Sequence, residues 1–494
     1  MGGLSTSIRQ RIHGANHRWW ALGAVECGNF VVYMDAFIVT LALPAISRQF
    51  GVGIHEVKWV MLAYLISLTI SLMLAGRLSD RFGRKLLTQV GIIALALGAI
   101  LCLLATSLDA LIAFRCLQGL GGALVLANVM AEITALFPKA ERRRAMAVNA
   151  SVLAAGQVVG LLAGGALIEL WGWRSIFAVI AGLGFIGLLL DTAILRNRPD
   201  AHPTPIDLPG ALLSLLVVGL PFFLIERLAS GLGSFGGLLA IGGSIALVAV
   251  FIIVERANPA PLLNLRLFGL RAYVCGSLAA AAYFVAAGSS YFLMPLYAQT
   301  ILGFSPFQAG LLMLPLAVAL VLASQIISHL SHYISARVAA TAGLLCTSAG
   351  VLGLSFLTTD TPVPIIIGLL AFIGLGGGLF HPPNNTSVLA AVPVTLLGSA
   401  NGFFTTSRNF GQALGVAVAS TVVGTLMLQA GAGDLLAQLH PDIDDTLGRE
   451  TFTHGQSIAF RITASIGLVG AILSAFRGPP ITIAPPETLG VIRP

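Results

Sequence analysis

The sequence predicts an all-α integral membrane protein: fourteen transmembrane helices, built as two six-helix halves with two extra helices between them. Three observations carry this. Hydrophobic residues make up 57% of the 494 and charged residues only 10%, against about half and about a quarter in a soluble domain. Apolar runs of the ~20 residues that a bilayer core demands recur along nearly the whole chain. Short stretches of the first half also return, in order and near register, in the second.

Taken in order, the apolar segments are 19–46, 57–77, 87–105, 109–137, 145–167, 173–194, 208–225, 233–254, 272–300, 306–328, 338–357, 364–390, 397–428 and 458–476. The first is too long for the core of a signal peptide. Fourteen crossings return the chain to the side on which it starts, and Lys and Arg decide which side that is. Nineteen fall on the side of the N-terminus, while Arg48, Lys58, Arg174, Arg227 and Arg449 fall on the other. Both termini are therefore expected in the cytoplasm. The formal net charge of +7 follows from this bias and needs no nucleic-acid partner. The expected organisation is a cytoplasmic N-terminus (1–18), a first half (19–194), a linker with two extra helices (195–271), a second half (272–476) with an outer loop (429–457), and a cytoplasmic tail (477–494).

The halves are read from an internal repeat. "GLGGAL" at 119–124 returns as "GLGGGL" at 374–379, and "GQVVG" at 156–160 as "GQALG" at 411–415, both 255 residues on. "RLSDRF" at 77–82 has a worn counterpart in "HLSHYI" at 329–334, 252 on, and "LPAISRQFG" at 43–51 faces "MPLYAQTILG" at 294–303. Related halves meeting at a midplane site are a mark of secondary transporters.

Charge inside the membrane is functional by default. Asp35 sits deep in helix 1. Glu26 lies nine residues earlier, about 180° around a straight helix, so the two point to opposite faces. In a low-dielectric cavity Asp35 can exchange protons, with Arg115 of helix 4 as its electrostatic partner. Asp35, Arg115 and Glu26 are the candidates for proton coupling. "GRLSDRFGRKLL" at 76–87 packs five charges into twelve positions and reads as a tight loop between helices 2 and 3. Topology explains its basic residues but neither Asp80 nor the two glycines. Gly76 permits close approach, Gly83 a turn, and Asp80 could accept backbone N–H bonds at a helix N-terminus. Gly156, Gly160 and Gly164, with Gly165 beside them, form a stripe for backbone-to-backbone packing. "FHPPNN" at 380–385 is expected to break helix 12. Candidates to line a substrate cavity are Phe37, Gln118, Asn128, His381, Asn384, Asn385 and Arg408. The five cysteines lie in apolar segments without a CxxC pair and read as packing residues. Neither a zinc spacing, a nucleophile elbow nor a phosphate loop is found. Hence no enzyme, metal or nucleotide cofactor is expected.

These motifs carry a family resemblance. "GRLSDRFGRKLL" resembles the signature loop of the major facilitator superfamily. "YMDAFIVTLALPAI" at 33–46 is similar to the helix-1 signature of its fourteen-helix drug:proton antiporter branch, the multidrug efflux permeases. "FRCLQGLGGAL" at 114–124 resembles the helix-4 motif, "GQVVGLLAGG" at 156–165 the helix-5 antiporter motif, and "PLLNLRLFGLRAY" at 261–273 the segment before helix 9. In three places the chain departs from these patterns: Phe37 and Thr40 stand where Thr and Asn are usual, and Leu161 where Pro is. The resemblance implies the major facilitator fold. It makes Gly76, Asp80, Arg81, Gly83 and Arg84 a latch that holds the outward-facing state. It further implies proton-driven export of amphipathic small molecules across a bacterial inner membrane. Export of one metabolite, and proton-linked or facilitated uptake, stay open as alternatives, as does a periplasmic adaptor protein as partner.

Overall fold

The computed structural model describes residues 17–195, 207–229, 234–258, 261, 263–330, 333–393, 396–431 and 446–478. The tails 1–16 and 479–494, the linker residues 196–206 and the acidic stretch 432–445 lie outside the described residues. Among the described residues are fourteen long helices and no strand. The first half comprises α1 (His17–Phe50), α2 (Ile54–Phe82), α3 (Arg84–Leu103), α4 (Leu108–Leu136), α5 (Lys139–Trp171) and α6 (Arg174–Ile194). The central pair is α7 (Leu208–Ala229) and α8 (Ser234–Ala257). A 3₁₀ turn, Leu265–Gly269, leads into the second half: α9 (Arg271–Thr300), α10 (Pro306–Leu330), α11 (Ala336–Leu354), α12 (Val363–Ala390), α13 (Leu397–Gln429) and α14 (Thr446–Ala475). Twelve of the fourteen, all but the central pair, are long and apolar enough to cross a membrane over their described residues. In α7 the apolar run is Pro209–Ile225.

The helices run up and down. At one end Arg18 at the start of α1 meets Glu141 at the start of α5, and Lys85 at the start of α3 donates to the Leu195 carbonyl after α6. At the other end Trp173 donates to Gln49 and Tyr297 to the Thr358 carbonyl. The first is called the basic end here, because Arg77, Arg84 and Lys85 lie there; the second is the far end.

Several expected boundaries move. Helix α2 continues through Arg77, Asp80 and Arg81 to Phe82, so Gly76–Phe82 is helical and the supposed loop shrinks to Gly83. That residue alone turns the chain, at φ +95°, which glycine adopts without a Cβ penalty. Residues 446–457 of the expected outer loop 429–457 are helix, since α14 begins at Thr446. Its first turns are polar, so a hydropathy reading begins the span later. Likewise α5 starts at Lys139 rather than 145. Pro382 and Pro383 do not break α12, which runs through them. A proline φ is itself helical, and only the Gly378 and Leu379 carbonyls lose their donors four residues on. Arg477, expected at the head of a free tail, is buried and donates to Ser387 and Asn384 of α12.

The repeat reappears as packing. Gly156 and Gly160 of α5 lie against the Phe30 and Met34 carbonyls of α1; Gly411 and Gly415 of α13 lie against the Ala281 and Val285 carbonyls of α9. Each partner is shifted by 251 residues and each glycine by 255. The same holds for α3 on α4. A Cβ on Gly121 would sit 2.6 Å from the Gly91 carbonyl oxygen, and one on Gly376 would sit 2.6 Å from that of Gly343. Gly164 also faces α1, through Ile38. Thus the stripe 156/160/164 packs within its own half, while Gly165 alone crosses to the other, with its Cβ position 2.7 Å from the Phe307 Cα.

Gly376→Val should lower the thermal midpoint of the detergent-solubilised protein by several degrees, since forcing two backbones apart costs about 1–3 kcal/mol. Gly368→Val on the same helix, where a Cβ meets nothing within 4 Å, should leave it unchanged. Equal midpoints for the two variants would remove the close α11–α12 contact from this account.

Candidate functional site

Two fully buried charges of the bundle form a pair. Arg115 Nη1 donates to both carboxylate oxygens of Asp35, at 2.7 and 2.8 Å, and both side chains are fully buried. The same nitrogen reaches Gln118 Oε1 at 2.8 Å, while Nε donates to the Val60 carbonyl at 3.0 Å. The guanidinium lies 4.3 Å from the centre of the Tyr64 ring, and the Tyr64 hydroxyl is anchored on the Val32 carbonyl. The Cys102 thiol donates to Gln118. Four helices thus converge on one ion pair: α1 with Asp35, α2 with Val60 and Tyr64, α3 with Cys102, and α4 with Arg115 and Gln118.

Local sequence explains the convergence. Val32 and Asp35 are one turn apart on α1 and face α2 and α4. Gly119, next to Gln118, lies against the Tyr64 carbonyl, so α4 approaches α2 closely enough for Arg115 to reach Val60. Without a cation the carboxylate would cost on the order of 3 kcal/mol at the bilayer centre. Without the carboxylate, Arg115 keeps Val60, Gln118 and the Tyr64 face. An arginine provided with alternatives tolerates a change in the charge of its partner.

Glu26 faces the other way. It is buried and accepts from Asn29 at 2.8 Å and from Asn149 of α5 at 2.9 and 3.1 Å. The 180° separation read from the sequence is what places Asp35 against α4 and Glu26 against α5. Neither lines an open cavity.

Other candidates separate. Asn128 lies between α3 and α4, donating to Thr88 and to the Leu124 carbonyl. Asn384 is fully buried at the basic end, between the Gly276 carbonyl and Arg477. Gln118 belongs to the ion pair. These three were expected to line a cavity and instead tie helices within a half. Asn385 is half-buried. Phe37 meets Tyr291 of α9 edge-on at 4.9 Å, across the two halves. His381 packs on Tyr283 and Phe284, and Arg408 lies over Phe284 at 4.9 Å.

The halves close on each other at the far end. Gly310 of α10 lies against the Leu161 carbonyl, Gln299 donates to the Leu41 carbonyl, and Ser305 to Glu169. Lys58, which the charge count assigns to the side opposite the N-terminus, is fully buried in α2, 3.4 Å from Thr421 of α13. Toward the basic end the same helices leave space: a Cβ on Gly76, Gly398 or Gly402 would meet nothing within 4 Å. There Asp80 is exposed and forms no hydrogen bond or ion pair with a described residue. It sits in the last turn of α2, not at a helix N-terminus, which corrects the expected backbone contact. Arg77 donates to the Pro261 carbonyl, Arg84 to that of Ala131, and Arg81 lies by Phe82.

Sequence reading passed over Tyr33, Gln157 and Gln412, although all lie inside the quoted motifs. It also passed over Asp191, a fully buried acid in the apolar α6. A cleft of about 410 Å³ at the far end, lined by Gln429, Glu450 and His454 among others, shares no residue with this site.

A model of the Major Facilitator Superfamily matches residues 25–416. The multidrug resistance protein Stp of Mycobacterium tuberculosis is 32% identical over 402 residues, 81% of this chain and 75% of that protein. The cephamycin export protein CmcT of Amycolatopsis lactamdurans is 32% identical over 413 residues, 80% of this chain and 83% of that one. Among solved structures, a bacterial homolog of the human lysosomal transporter Spinster, inward-facing and unoccupied, matches with a TM-score of 0.65 at 17% identity, covering 94% of this chain and 97% of its own.

Arg115→Met strands a buried carboxylate and should destabilise the solubilised protein by about 3–5 kcal/mol. Combining it with Asp35→Asn should restore most of the loss, as read by thermal midpoints around the double-mutant cycle. Additive losses would mean that the two groups do not act on each other.

Proposed function

Because this chain belongs to the major facilitator superfamily, we propose that it is a proton-coupled exporter of amphipathic small molecules, working by alternating access. It is a multi-pass membrane transporter, and the relatives named for multidrug resistance and cephamycin export support efflux. The observation that carries proton coupling is the Asp35–Arg115 pair, the one ion pair among the described residues with both side chains fully buried. An ion pair inside a bundle is often replaceable by apolar residues without loss of stability, so its presence argues for use.

The proposed cycle runs as follows. In the proposed orientation, which the Lys/Arg bias supports, the basic end faces the cytoplasm, and the membrane is a bacterial inner membrane. With the far end closed and Asp80 disengaged, the described conformation opens inward. There Asp35 is ionised and held by Arg115, the state after proton release. Outside, protonation of Asp35 removes one charge, and Arg115 falls back on Val60, Gln118 and Tyr64. That exchange of partners, at the junction of α1, α2 and α4, biases how the first half meets the second. When the basic end closes, Asp80 engages and holds the outward-open arrangement. The second reading is a dedicated exporter of one metabolite, which the relative named for cephamycin export favours.

The test is uptake of lipophilic dyes into everted membrane vesicles under an imposed pH gradient. Asp35→Asn should reduce gradient-driven uptake to the level of vesicles lacking the protein and abolish proton release on substrate addition. Persisting accumulation against a gradient would move the proton site elsewhere, Glu26 first. Asp80→Asn should slow uptake about tenfold, equivalent to ~1.4 kcal/mol on one conformational step, with substrate affinity unchanged. A wild-type rate would end the latch assignment.

A further inference from the structure

We infer that the second half carries an anion subsite, with Arg408 as its cation and Gln412 as a second donor, and that the exported molecules join an acidic group to an aromatic ring. The inference rests on the transporter reading above and names its substrate class.

Arg408 lies about a third of the way along α13, eleven residues in from its start at Leu397. It and Arg115 are treated differently. Arg115 has a carboxylate, a backbone carbonyl and an amide oxygen. Arg408 forms no hydrogen bond or ion pair with a described residue, and its Nε is buried without an acceptor. Its guanidinium lies by two rings: Phe284 at 4.9 Å and Phe404 at 6.0 Å from their centres. Its charge acts on Tyr33 of α1, on Tyr283 and on His381, and none of these is an anion. The one carboxylate whose charge also reaches Tyr33 is Glu26, which is already bound by two asparagine amides.

One turn further along the same face of α13 is Gln412. It is 7% exposed, and its side-chain nitrogen has no acceptor either. Gln157, its repeat counterpart 255 residues earlier, approaches Tyr291 from α5. Above them Phe37 and Tyr291 close the space edge-on. Arg408 and Gln412 are therefore donors without acceptors, bounded by flat apolar faces and lying between the halves. Burying such donors costs free energy unless a partner arrives. The fitting partner is rich in acceptors and negative: a carboxylate, sulfonate or phosphate attached to a ring that stacks on Phe284 and Tyr33. In the first half the position equivalent to Arg408 is Leu153, so the site has one cation, not two.

The test is equilibrium binding in detergent at neutral pH, without a gradient, using radiolabelled 2-naphthoate, 2-naphthamide and 2-naphthylmethylammonium. The wild-type protein should bind naphthoate about tenfold more tightly than either analogue, a difference of ~1.4 kcal/mol. Arg408→Gln should erase that preference while leaving naphthamide binding within about twofold, and Arg408→Lys should keep part of it. Three results would overturn the inference: no naphthoate binding, equal or better binding of the ammonium, or equal weakening of all three probes in Arg408→Gln. Should Arg408→Gln not fold, the wild-type preference and Arg408→Lys decide. Naphthoate transport in everted vesicles separates the two readings. Preference without gradient-driven transport retains the anion subsite and removes proton coupling. Gradient-driven transport without the preference does the reverse.

Discussion

Helices in a bilayer gain little by turning apolar side chains toward each other, because lipid is equally apolar. They hold together where backbones come close enough for dense contact. In this protein that constraint is met by glycine set against carbonyl, and it is met twice. The α1–α5 and α9–α13 contacts use the same positions of the two repeats, and so do α3–α4 and α11–α12. Everything polar in the bundle is mounted on this frame. Arg115 reaches Asp35 because Gly119 lets α4 approach α2. Phe37 reaches Tyr291 because Gly165 and Gly310 let α5 and α10 meet at the far end.

On a frame so nearly symmetrical, chemistry is placed asymmetrically. The positions equivalent to Asp35 and Arg115 in the second half are Ala286 and Leu370. The position equivalent to Arg408 in the first half is Leu153. One half therefore holds a closed ion pair and the other an arginine without an acid. The paired Gln157 and Gln412, and the paired aromatics Tyr33 and Phe284, remain common to both. In the proposed cycle, a proton site in one half and a ligand site at the junction influence each other through motion of the halves.

Much of this was legible in the sequence. The halves, the central pair and the main motifs follow from hydropathy and from a repeat offset that the packing reproduces residue by residue. Opposite faces for Glu26 and Asp35 followed from helical geometry alone. What failed was the step from a polar residue to its surroundings. Asn128, Asn384 and Gln118 are as polar as cavity residues and sit at helical spacings that suit either role; only tertiary contacts show that they are spent within a half. Lys58, at the outer end of the second apolar segment, was counted with the outer charges by its position along the chain, yet it is buried against Thr421. The prolines of α12 and the polar start of α14 misled for a related reason. Residues that end a pattern need not end a helix when the backbone torsions still permit one.

The arrangement at Asp35 has an electrical consequence. With both groups ionised, the pair is neutral; once the carboxyl takes up a proton, the enclosed site carries one positive charge. A carrier of that kind is moved by voltage as well as by acidity, since one elementary charge crossing the membrane field is worth about 2.3 kcal/mol per 100 mV. In the proposed cycle an interior-negative potential draws the loaded form inward and resists its return. The same potential assists export of an anion lying beside Arg408. The proton and the cargo would then be driven along one field in opposite directions, even without a pH difference.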